Sequence, residues 1–195
     1  ESVINLKFDD EKVKNELIEF TKQRIISFLE DLSLEKNWIN AVCNSNEIPS
    51  ERLFKIIDLK KRIDSLNTIK ENNKFDEIKN IIARASKLSK TGTLQTNILS
   101  SNEYIKPNLF EKDSEKKLFE FIKKLENYIS SEDWEYKGIL ISFEKHLEIV
   151  SNIFDNKVGV MIVCENLELR NNRLNLLSLV RNYSLLIADF TLFNS

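Results

Sequence analysis

The sequence contains little glycine and proline, and it lacks the motifs of common catalytic sites. Only three glycines and two prolines occur among 195 residues, far below their average usage. Because these residues form tight turns and interrupt helices, their scarcity favours long helices joined by few turns. Three glycines cannot build a phosphate-binding loop, and no nucleophile-elbow or zinc-protease motif occurs. The sequence therefore predicts no catalytic residue.

Cysteine and histidine are also scarce. Cys43 and Cys164 lie in apolar surroundings without C-x-x-C spacing or a neighbouring histidine. We interpret both as small buried side chains in a reducing compartment, with a disulfide or a shared metal site as the less favoured alternative. His146 is the only histidine, which excludes a His-rich metal site and leaves a His-dependent triad resting on one residue. No metal site is predicted.

Long apolar runs and a leader sequence are absent too. No stretch of about eighteen uncharged apolar residues occurs, so the sequence predicts no transmembrane helix and no membrane partner. The first residues lack a basic region followed by an apolar one, which indicates no signal peptide. Because the chain begins at Glu1 rather than methionine, we interpret it as a fragment, with Ser195 as the expected natural end.

The charge balance is slightly acidic, which argues against nucleic-acid binding. Lys and Arg number 29, Asp and Glu number 31, and the net charge is −2. Phosphate contacts normally leave a basic footprint, but a basic face can coexist with acidic faces elsewhere on the same molecule. The balance therefore lowers the expectation of RNA binding without excluding it.

Helical periodicity is the main pattern that the sequence does contain. Apolar residues recur every three or four positions in about seven stretches, which predicts an all-α fold. The predicted helices span 10–32, 35–44, Pro49 through Ile69, a stretch ending near Lys90 and Gly92, 114–130, Trp134 to Ile153, and 167–190. Asp9 or Asp10 is expected to cap the first helix, and Asn72 or Asn73 the fourth.

Three features of these helices lead to specific expectations. The buried face of the first helix is predicted to consist of Val13, Leu17, Phe20, Ile25, Phe28, Leu29 and Leu32. In the third helix, Lys60, Lys61 and Arg62 are expected on or near the side opposite the apolar stripe. Gly138 in the sixth helix is expected to be a weak point that costs about 1 kcal/mol relative to alanine.

Two segments lack helical periodicity. The polar stretch from Thr91 to Lys112 is interpreted as a connector, residues 91–112, between an N-terminal helical lobe, 1–90, and a C-terminal helical lobe, 113–195. The stretch from Val158 to Val163 is β-branched and apolar, so propensity alone favours a strand. A lone strand could not satisfy its backbone groups, and we therefore interpret this stretch as a helical turn or an apolar connector.

The C-terminal residues carry a more specific pattern. The matching positions are Phe154, Asp155, Lys157, Val158, Val160, Met161, Val163 and Glu165, then Leu169, Arg170, Asn172, Arg173, Leu174, Leu176 and Leu177, and finally Ala188, Asp189, Phe190, Thr191 and Leu192. In this order they resemble the C-terminus of the glycyl-tRNA synthetase β subunit of the bacterial and plastid two-subunit type. A weaker resemblance extends over nearly the whole chain. Around Arg84 and Ser86 it includes two departures, Ala83 for a lysine and Lys87 for an asparagine.

The resemblance implies an anticodon-binding region related to that of arginyl-tRNA synthetase, in which about seven helices form a bundle in two lobes. The parent ligase would attach glycine to its tRNA, with ATP and magnesium at the α subunit and neither in this fragment. Expected partners are glycine tRNA and the α subunit, without DNA. The expected location is the cytoplasm, or the plastid in a eukaryotic phototroph. The competing interpretation is a non-catalytic helical module that docks another protein and binds no RNA.

Basic residues are the candidates for tRNA contact. Arg84, Lys87 and Lys90 recur at three-residue spacing, so they share a helix face that could follow a phosphate chain or could simply be solvated. Arg170, Asn171, Asn172 and Arg173 lie near the start of the last helix, where anions are favoured. Arg and Asn can also read unpaired bases. Arg173 is alternatively a structural residue paired with a carboxylate such as Asp155.

Further candidates are less specific. Lys60 and Arg62, with Lys61 between them, form either part of a phosphate track or a wet helix face. Trp38, Trp134, Tyr104 and Tyr136 could each stack on a base. Trp38 and Trp134 are more typical of helix packing, and Tyr104 is expected to be the most exposed of the four.

Overall fold

The structure, a computed structural model, describes residues 10–32, 34–70 and 74–193. Within these residues the chain forms eight α-helices and no strand, which confirms the predicted all-α fold. They are α1 (Asp10–Asp31), α2 (Lys36–Cys43), α3 (Ile56–Lys70), α4 (Phe75–Ser89), α5 (Asp113–Ile129), α6 (Tyr136–Lys145), α7 (Leu147–Asn152) and α8 (Leu167–Leu185). Short 3₁₀ helices span Ser50–Arg52, Pro107–Leu109 and Phe190–Leu192. The expected caps Asp9, Asn72 and Asn73 lie outside the described residues.

Three helix boundaries differ from the prediction. The third helix begins at Ile56 rather than near Pro49, and Ser50–Arg52 form a separate 3₁₀ helix before it. The predicted sixth helix is interrupted at His146, whose backbone is not helical, with φ −113° and ψ 20°. This break produces α6 and α7 where one helix was expected. The last helix ends at Leu185 rather than near Phe190, because Asp189 begins a separate 3₁₀ turn by accepting the N–H of Thr191.

The central element of the fold is α8, which packs against both α4 and α5. Its apolar residues occur on every side of the helix, and Leu174, Leu176, Leu177, Leu179 and Val180 are all buried. A helix that is apolar all round must be enclosed by other elements to be stable. The leucine-rich sequence of α8 therefore explains why the other helices surround it.

The polar residues of α8 hold the segment 91–112 against the core. Three consecutive side chains donate to its carbonyls: Arg181 to Leu94 (2.7 Å), Asn182 to Gln95 (2.7 Å) and Ile98 (2.6 Å), and Tyr183 to Leu99 (2.7 Å). Because this segment is mostly irregular, its carbonyls lack helical partners and must be satisfied in another way. Buried polar side chains on α8 provide the hydrogen bonds that these carbonyls need.

The same pattern continues towards the start of α8. The side-chain amide of Asn175 donates to the carbonyl of Tyr104 (2.8 Å). Asn172 accepts the N–H of Lys106 (2.7 Å) and donates to its carbonyl (3.1 Å). The segment 91–112 is thus a packed part of the structure.

Buried side chains on both sides of this segment form one continuous hydrophobic cluster. It extends along the sequence from Ile25 to Phe193 and includes residues of every α-helix. The predicted division into residues 1–90 and 113–195 stays a prediction. The cluster shows that any two lobes would share one core.

The first helix forms where the sequence predicts it, but its burial was predicted wrongly. Only Ile25 and Leu29 are buried in α1. The remaining residues of the predicted face are exposed; we name this set the α1 stripe, and it comprises Val13, Leu17, Phe20, Phe28 and Leu32. Two adjacent apolar stripes run along this helix, and the described structure covers only the one that contains Ile25 and Leu29.

The apolar segment from Val158 to Val163 is irregular, which confirms its interpretation as a connector. Its first turn is tight around Gly159, which donates its N–H to the carbonyl of Asp155 (3.0 Å). A Cβ atom at this position would lie 2.4 Å from the same oxygen and 2.6 Å from the carbonyl oxygen of Ile153. Only glycine fits this turn without a shift of the backbone.

Both cysteines are free thiols, but their environments differ. Cys43 is buried in α2, and burial raises its pKa to about 11. Cys164 is only half-buried, so the expectation of a buried side chain is wrong for this residue. Among the described residues, no helix is both long enough and apolar enough to cross a membrane.

Candidate nucleic-acid interface

Arg84 is exposed on α4 and stacks on an aromatic ring. Its guanidinium carbon lies 4.5 Å from the ring centroid of Phe154, which follows α7. α4 packs against α7 as well as α8, and this packing brings the two residues together. A guanidinium over an aromatic face is held by the ring quadrupole, and Arg84 as a residue is exposed to solvent. Arg84 is therefore a positioned cation.

A polar groove opens beside this pair. It has a volume of about 500 Å³, and its lining includes Asn80, Arg84, Asn152, Phe154, Asp155 and Asn156; we name it the Arg84 groove. Asn80 and Asn156 are exposed, and neither side chain forms a hydrogen bond with a described residue. Carboxamides offer both donors and acceptors. The groove thus combines a planar cation, an aromatic ring and hydrogen-bonding groups.

Asp155 adds an anionic acceptor to the Arg84 groove. Its Oδ1 accepts the N–H of Val158 (2.9 Å) and of Lys157 (2.7 Å). These two backbone hydrogen bonds lower the pKa of the carboxyl below its ordinary value. The group therefore stays ionised near neutral pH and can accept a hydrogen bond from an amino or imino group.

Lys87 and Lys90 extend the basic character of α4 towards its C-terminus. Both are exposed, as is Arg84. The ammonium of Lys90 lies 3.4 Å from the carboxylate of Glu47, a pairing that solvent weakens at this exposure. The three predicted cations are thus accessible. Their contact with RNA stays a prediction.

The prediction that Arg62 contacts tRNA is wrong, because its side chain is 0 % exposed. Its Nε lies 3.1 Å from Oδ2 of Asp58, one turn earlier on α3. Leu59, Ile63 and Leu66 are buried on the same helix, so Arg62 lies inside rather than opposite the apolar stripe. Lys60 is exposed and pairs with Asp64 at 2.6 Å. Arg62 is therefore unavailable for a phosphate track.

Arg173 and Asn172, two further candidates for tRNA contact, are also buried and used inside the fold. Arg173 is 3 % exposed, with Nε 2.9 Å from Glu115 and Nη2 2.6 Å from Glu111. The structural interpretation is thus supported, although the partners are not Asp155 as suggested. Asn172 is buried and its side chain is used by Lys106. The spacing of Glu111 and Glu115, one turn apart, was the signal in the sequence that could have identified these partners.

Arg170 and Asn171 lie closer to solvent, at the start of α8. Arg170 is half-buried and Asn171 is exposed. The preceding Asn166 caps the helix by accepting the N–H groups of Glu168 and Leu169, each at 3.1 Å. An anion at this end would therefore find fewer free amides than expected. The two residues remain predicted contacts.

The four aromatic candidates separate into two groups. Trp38 is 3 % exposed and packs edge-to-face on Phe75 and Phe193, which makes it a core residue. Tyr104 is half-buried against the core, as are Trp134 and Tyr136, so the expectation that it is the most exposed of the four stays a prediction. Trp134 and Tyr136 are half-buried and contact each other edge-to-face, with ring centroids 5.0 Å apart.

Trp134 and Tyr136 line a second groove between α3 and the start of α6. Its volume is about 470 Å³, and its lining includes Asp58, Lys61, Asp64, Trp134, Tyr136 and Lys137; we name it the Trp134 groove. No pattern in the sequence links Trp134 to Lys61. Only the packing of α6 on α3 brings them to the same groove.

No family model matches the chain. Glycine–tRNA ligase β subunits are similar to it over most of its length. The subunit of Gloeothece citriformis is 35% identical over 176 residues, covering 88% of this chain and 24% of that subunit. Those of Acaryochloris marina and Synechocystis sp. are 31% and 30% identical over 179 and 185 residues, covering 90% and 88% of this chain and 25% of each subunit.

These similarities define the class of protein first: the relatives are subunits of an aminoacyl-tRNA synthetase. More particularly, they are glycine–tRNA ligase β subunits, similar to this chain over about nine tenths of its length, which confirms the resemblance found in the sequence. The chain spans about a quarter of the length of the curated relatives that it matches. It thus corresponds to one segment of such a subunit.

Proposed function

We propose that this chain binds the anticodon stem-loop of glycine tRNA and thereby supports glycylation by a two-subunit ligase. The observation that carries the proposal is the stacking of Arg84 on Phe154 beside exposed carboxamides. Single-stranded loops are recognised by side chains that stack on unpaired bases and bond to their edges. The Arg84 groove offers both kinds of contact on a surface that also carries Lys87 and Lys90.

In the proposed mode, an unpaired base stacks on the open face of the Arg84 guanidinium. Asn80 and Asn156 bond to the base edge, and Asp155 accepts from an amino or imino group. Lys87 and Lys90 contact the phosphates that flank the base. This arrangement positions the tRNA and requires no chemical step from the chain itself.

The remaining chemistry belongs to other parts of the proposed ligase. ATP and magnesium are assigned to the α subunit, as the family resemblance implies. The α subunit is accordingly a proposed partner, and the proposed location is the cytoplasm, or the plastid in a eukaryotic phototroph. A common origin with the anticodon-binding region of arginyl-tRNA synthetase is part of the same proposal.

The test is a fluorescence-anisotropy titration of the chain with a labelled anticodon stem-loop of glycine tRNA at several salt concentrations. Arg84→Ala combined with Lys87→Ala should weaken binding and lower the salt slope by about 0.7 for each phosphate that is no longer neutralised. The matched control is Lys116→Ala with Lys124→Ala, which removes two exposed charges from α5. Equal affinity of the two double variants, both folded, would refute the proposed site.

A lysine at position 84 separates charge from stacking. Arg84→Lys keeps one positive charge but loses the planar guanidinium. We expect weaker binding with an unchanged salt slope, because the phosphate contacts remain while the stacking surface is removed. If Arg84→Lys binds as well as the unchanged chain, Arg84 acts only as a point charge and the stacking mode is wrong.

The α1 stripe favours a second candidate function, the docking of another polypeptide. Leu17 is 62% exposed and Phe20 is 59% exposed, and both lie on one helix face. In the relatives, about three quarters of the subunit lies outside the region similar to this chain. We therefore propose that a helix from the rest of a β subunit packs on this stripe.

Docking and RNA binding can be distinguished by their dependence on salt. Leu17→Ser with Phe20→Ser in a full-length β subunit should increase protease cleavage next to α1 without changing stem-loop affinity. Contacts between apolar side chains do not weaken as salt rises, whereas phosphate contacts do. Unchanged cleavage would show that no helix of the β subunit packs on the α1 stripe. If the chain dimerises and the same substitutions abolish dimerisation, a second copy of the chain binds the stripe instead.

A further inference from the structure

We propose that the Trp134 groove binds one unpaired nucleotide of single-stranded RNA. The base stacks on Trp134, and the flanking phosphates contact Lys61 and Lys137. This inference rests on the proposed RNA-binding function, but it concerns a surface that shares no lining residue with the Arg84 groove. The volume of about 470 Å³ lies in the usual range of small-molecule sites, roughly 300–1,000 Å³.

The aromatic wall of the groove is held in place by a chain of contacts. Tyr136 meets Trp134 edge-to-face at 90°. The hydroxyl of Tyr136 donates to Asp58, which also pairs with the buried Arg62. Burial and the neighbouring carboxylate raise the pKa of Tyr136, so this hydroxyl keeps its proton. Because Tyr136 is fixed, the ring of Trp134 is presented in one orientation, as stacking requires.

The charges in the groove favour a phosphate. Asp58 is neutralised by Arg62 and by Arg52, whose Nη2 lies 3.6 Å from it. Asp64 pairs with Lys60 at 2.6 Å, so the formal charges of these two exposed side chains cancel. Lys61 and Lys137 form no ion pair with any described residue, and they face only Glu135 as an unpaired carboxylate in the lining. Two lysines against one glutamate leave a net positive charge.

The floor of the groove offers hydrogen-bond acceptors. Ser65 donates its hydroxyl proton to the carbonyl of Arg62 (2.6 Å), and Thr68 donates its own to the carbonyl of Ser65 (2.8 Å). Each hydroxyl oxygen therefore keeps lone pairs but no free proton for a ligand. Such a floor suits the donors of a nucleotide, namely a base amino group or a ribose 2′-hydroxyl.

Tryptophan fluorescence reports on this groove directly. Trp38→Phe removes the buried indole and leaves Trp134 as the only tryptophan. We expect single-stranded oligoadenylate to quench the remaining fluorescence in a saturable way. Lys61→Ala with Lys137→Ala should lower the salt slope by about 1.4, at 0.7 for each phosphate contact. Lys116→Ala with Lys124→Ala, in the same background, is the charge-matched control.

Two substitutions of Trp134 test the stacking itself. Trp134→Leu should weaken binding at least tenfold with an unchanged salt slope, and Trp134→Phe should retain most of the affinity. Anisotropy of labelled oligoadenylate measures both variants. If Trp134→Leu and Trp134→Phe bind equally, no base stacks there and the inference is overturned.

The failure of this inference can be told from the failure of the proposed function. Weakened stem-loop binding in the Arg84 variants, with no quenching of Trp134 by either RNA, would overturn the Trp134 groove and leave the anticodon proposal standing. Saturable quenching that depends on Lys61 and Lys137, with Arg84 variants unaffected, would support the Trp134 groove and refute the Arg84 site.

Discussion

Arg173 and Glu115 form a buried ion pair that joins the start of α8 to the start of α5. The Nε–Oε1 distance is 2.9 Å, and Glu115 is 0 % exposed. The other carboxylate oxygen of Glu115 accepts the N–H groups of Glu111 and Lys112, at 2.9 and 3.0 Å. One side chain therefore both caps α5 and neutralises an arginine of the central helix.

Glu115→Gln should destabilise the fold much more than Glu111→Gln. Glu115 is enclosed, so its replacement leaves the Arg173 guanidinium buried with too little negative charge, at a cost of about 3 kcal/mol. The Glu111 side chain is 63% exposed, and solvent screens its pairing to less than about 1 kcal/mol. Urea denaturation of the two variants measures the difference. Equal losses of stability would show that the buried Arg173–Glu115 pair contributes no more than the exposed Arg173–Glu111 pair.

A second prediction concerns the acid shared by two arginines. Asp58 lies 3.1 Å from Nε of Arg62 and 3.6 Å from Nη2 of Arg52. Burial, followed by the charge of Arg52, lowers the pKa of Arg62 to about 10. Asp58→Asn should cost about 3 kcal/mol, because two guanidinium groups then face each other without a carboxylate.

Removing the buried charge should reverse much of that loss. In the Asp58→Asn background, Arg62→Met should restore stability, since methionine fills the buried space without a charge that needs a partner. The free energy of unfolding of the double variant, obtained from urea denaturation, should exceed that of Asp58→Asn alone. Further destabilisation by Arg62→Met would mean that packing of the arginine stem, rather than its charge, dominates.

The contrast between Lys60 and Arg62 shows what could be predicted from the sequence. Helix existence depends on local periodicity, so most helices were predicted close to their observed bounds, although α3 begins at Ile56 rather than near Pro49. Arg62 was assigned to solvent because an isolated charge is rarely buried. Its burial depends on Asp58 and on the carbonyl of Arg52, 3.4 Å from Nη2. Such satisfaction is a tertiary property that periodicity does not encode.

The site was predictable to a similar extent. Exposure of Arg84, Lys87 and Lys90 followed from their spacing on α4, but the contact with Phe154 did not, because it joins positions seventy residues apart. Asn172 was predicted to contact tRNA because its carboxamide can form hydrogen bonds with a base. In the structure the same carboxamide accepts the N–H of Lys106. Residue type indicates what a side chain can bind, and only the packing shows whether that capacity is already used.

The pH dependence of stability should include a contribution from Glu126 on α5. Its carboxylate accepts hydrogen bonds from Ser101 (2.9 Å), Ser100 (3.1 Å) and Lys123 (3.0 Å). Burial raises the pKa of Glu126, but these bonds outweigh it and hold the pKa below the ordinary value of 4.5. The stabilisation is therefore complete above pH 4.5 and is lost as pH falls through the lowered pKa of the folded state.

Glu126→Gln tests this contribution. At neutral pH the variant should be less stable by about 1 kcal/mol, because it loses charge-assisted hydrogen bonds. On acidification the gap to the unchanged chain should narrow, since protonation removes the same bonds there. Glu120→Gln, which alters an exposed residue of α5, is the control. A gap that stays constant from neutral to acidic pH would contradict the assignment to the Glu126 carboxylate.

The structure reverses the effect on stability that helix propensity predicts for replacing Gly138 by alanine. Helix propensity alone favours alanine by about 1 kcal/mol. A Cβ atom at this position would, however, lie 2.0 Å from the hydroxyl oxygen of Tyr128 and 2.4 Å from its Cζ. That hydroxyl accepts the N–H of Glu135 (2.9 Å) and donates to its carbonyl (3.2 Å), so it is held beside the start of α6.

Gly138→Ala should therefore destabilise the chain by about 1–3 kcal/mol, the usual cost of overpacking. In a Tyr128→Ala background the ring is gone, and the same substitution should become neutral or stabilising because only helix propensity remains. The four free energies of unfolding form a double-mutant cycle with a large coupling between the two positions. A stabilising effect of Gly138→Ala in the unchanged chain would show that Tyr128 moves aside at little cost.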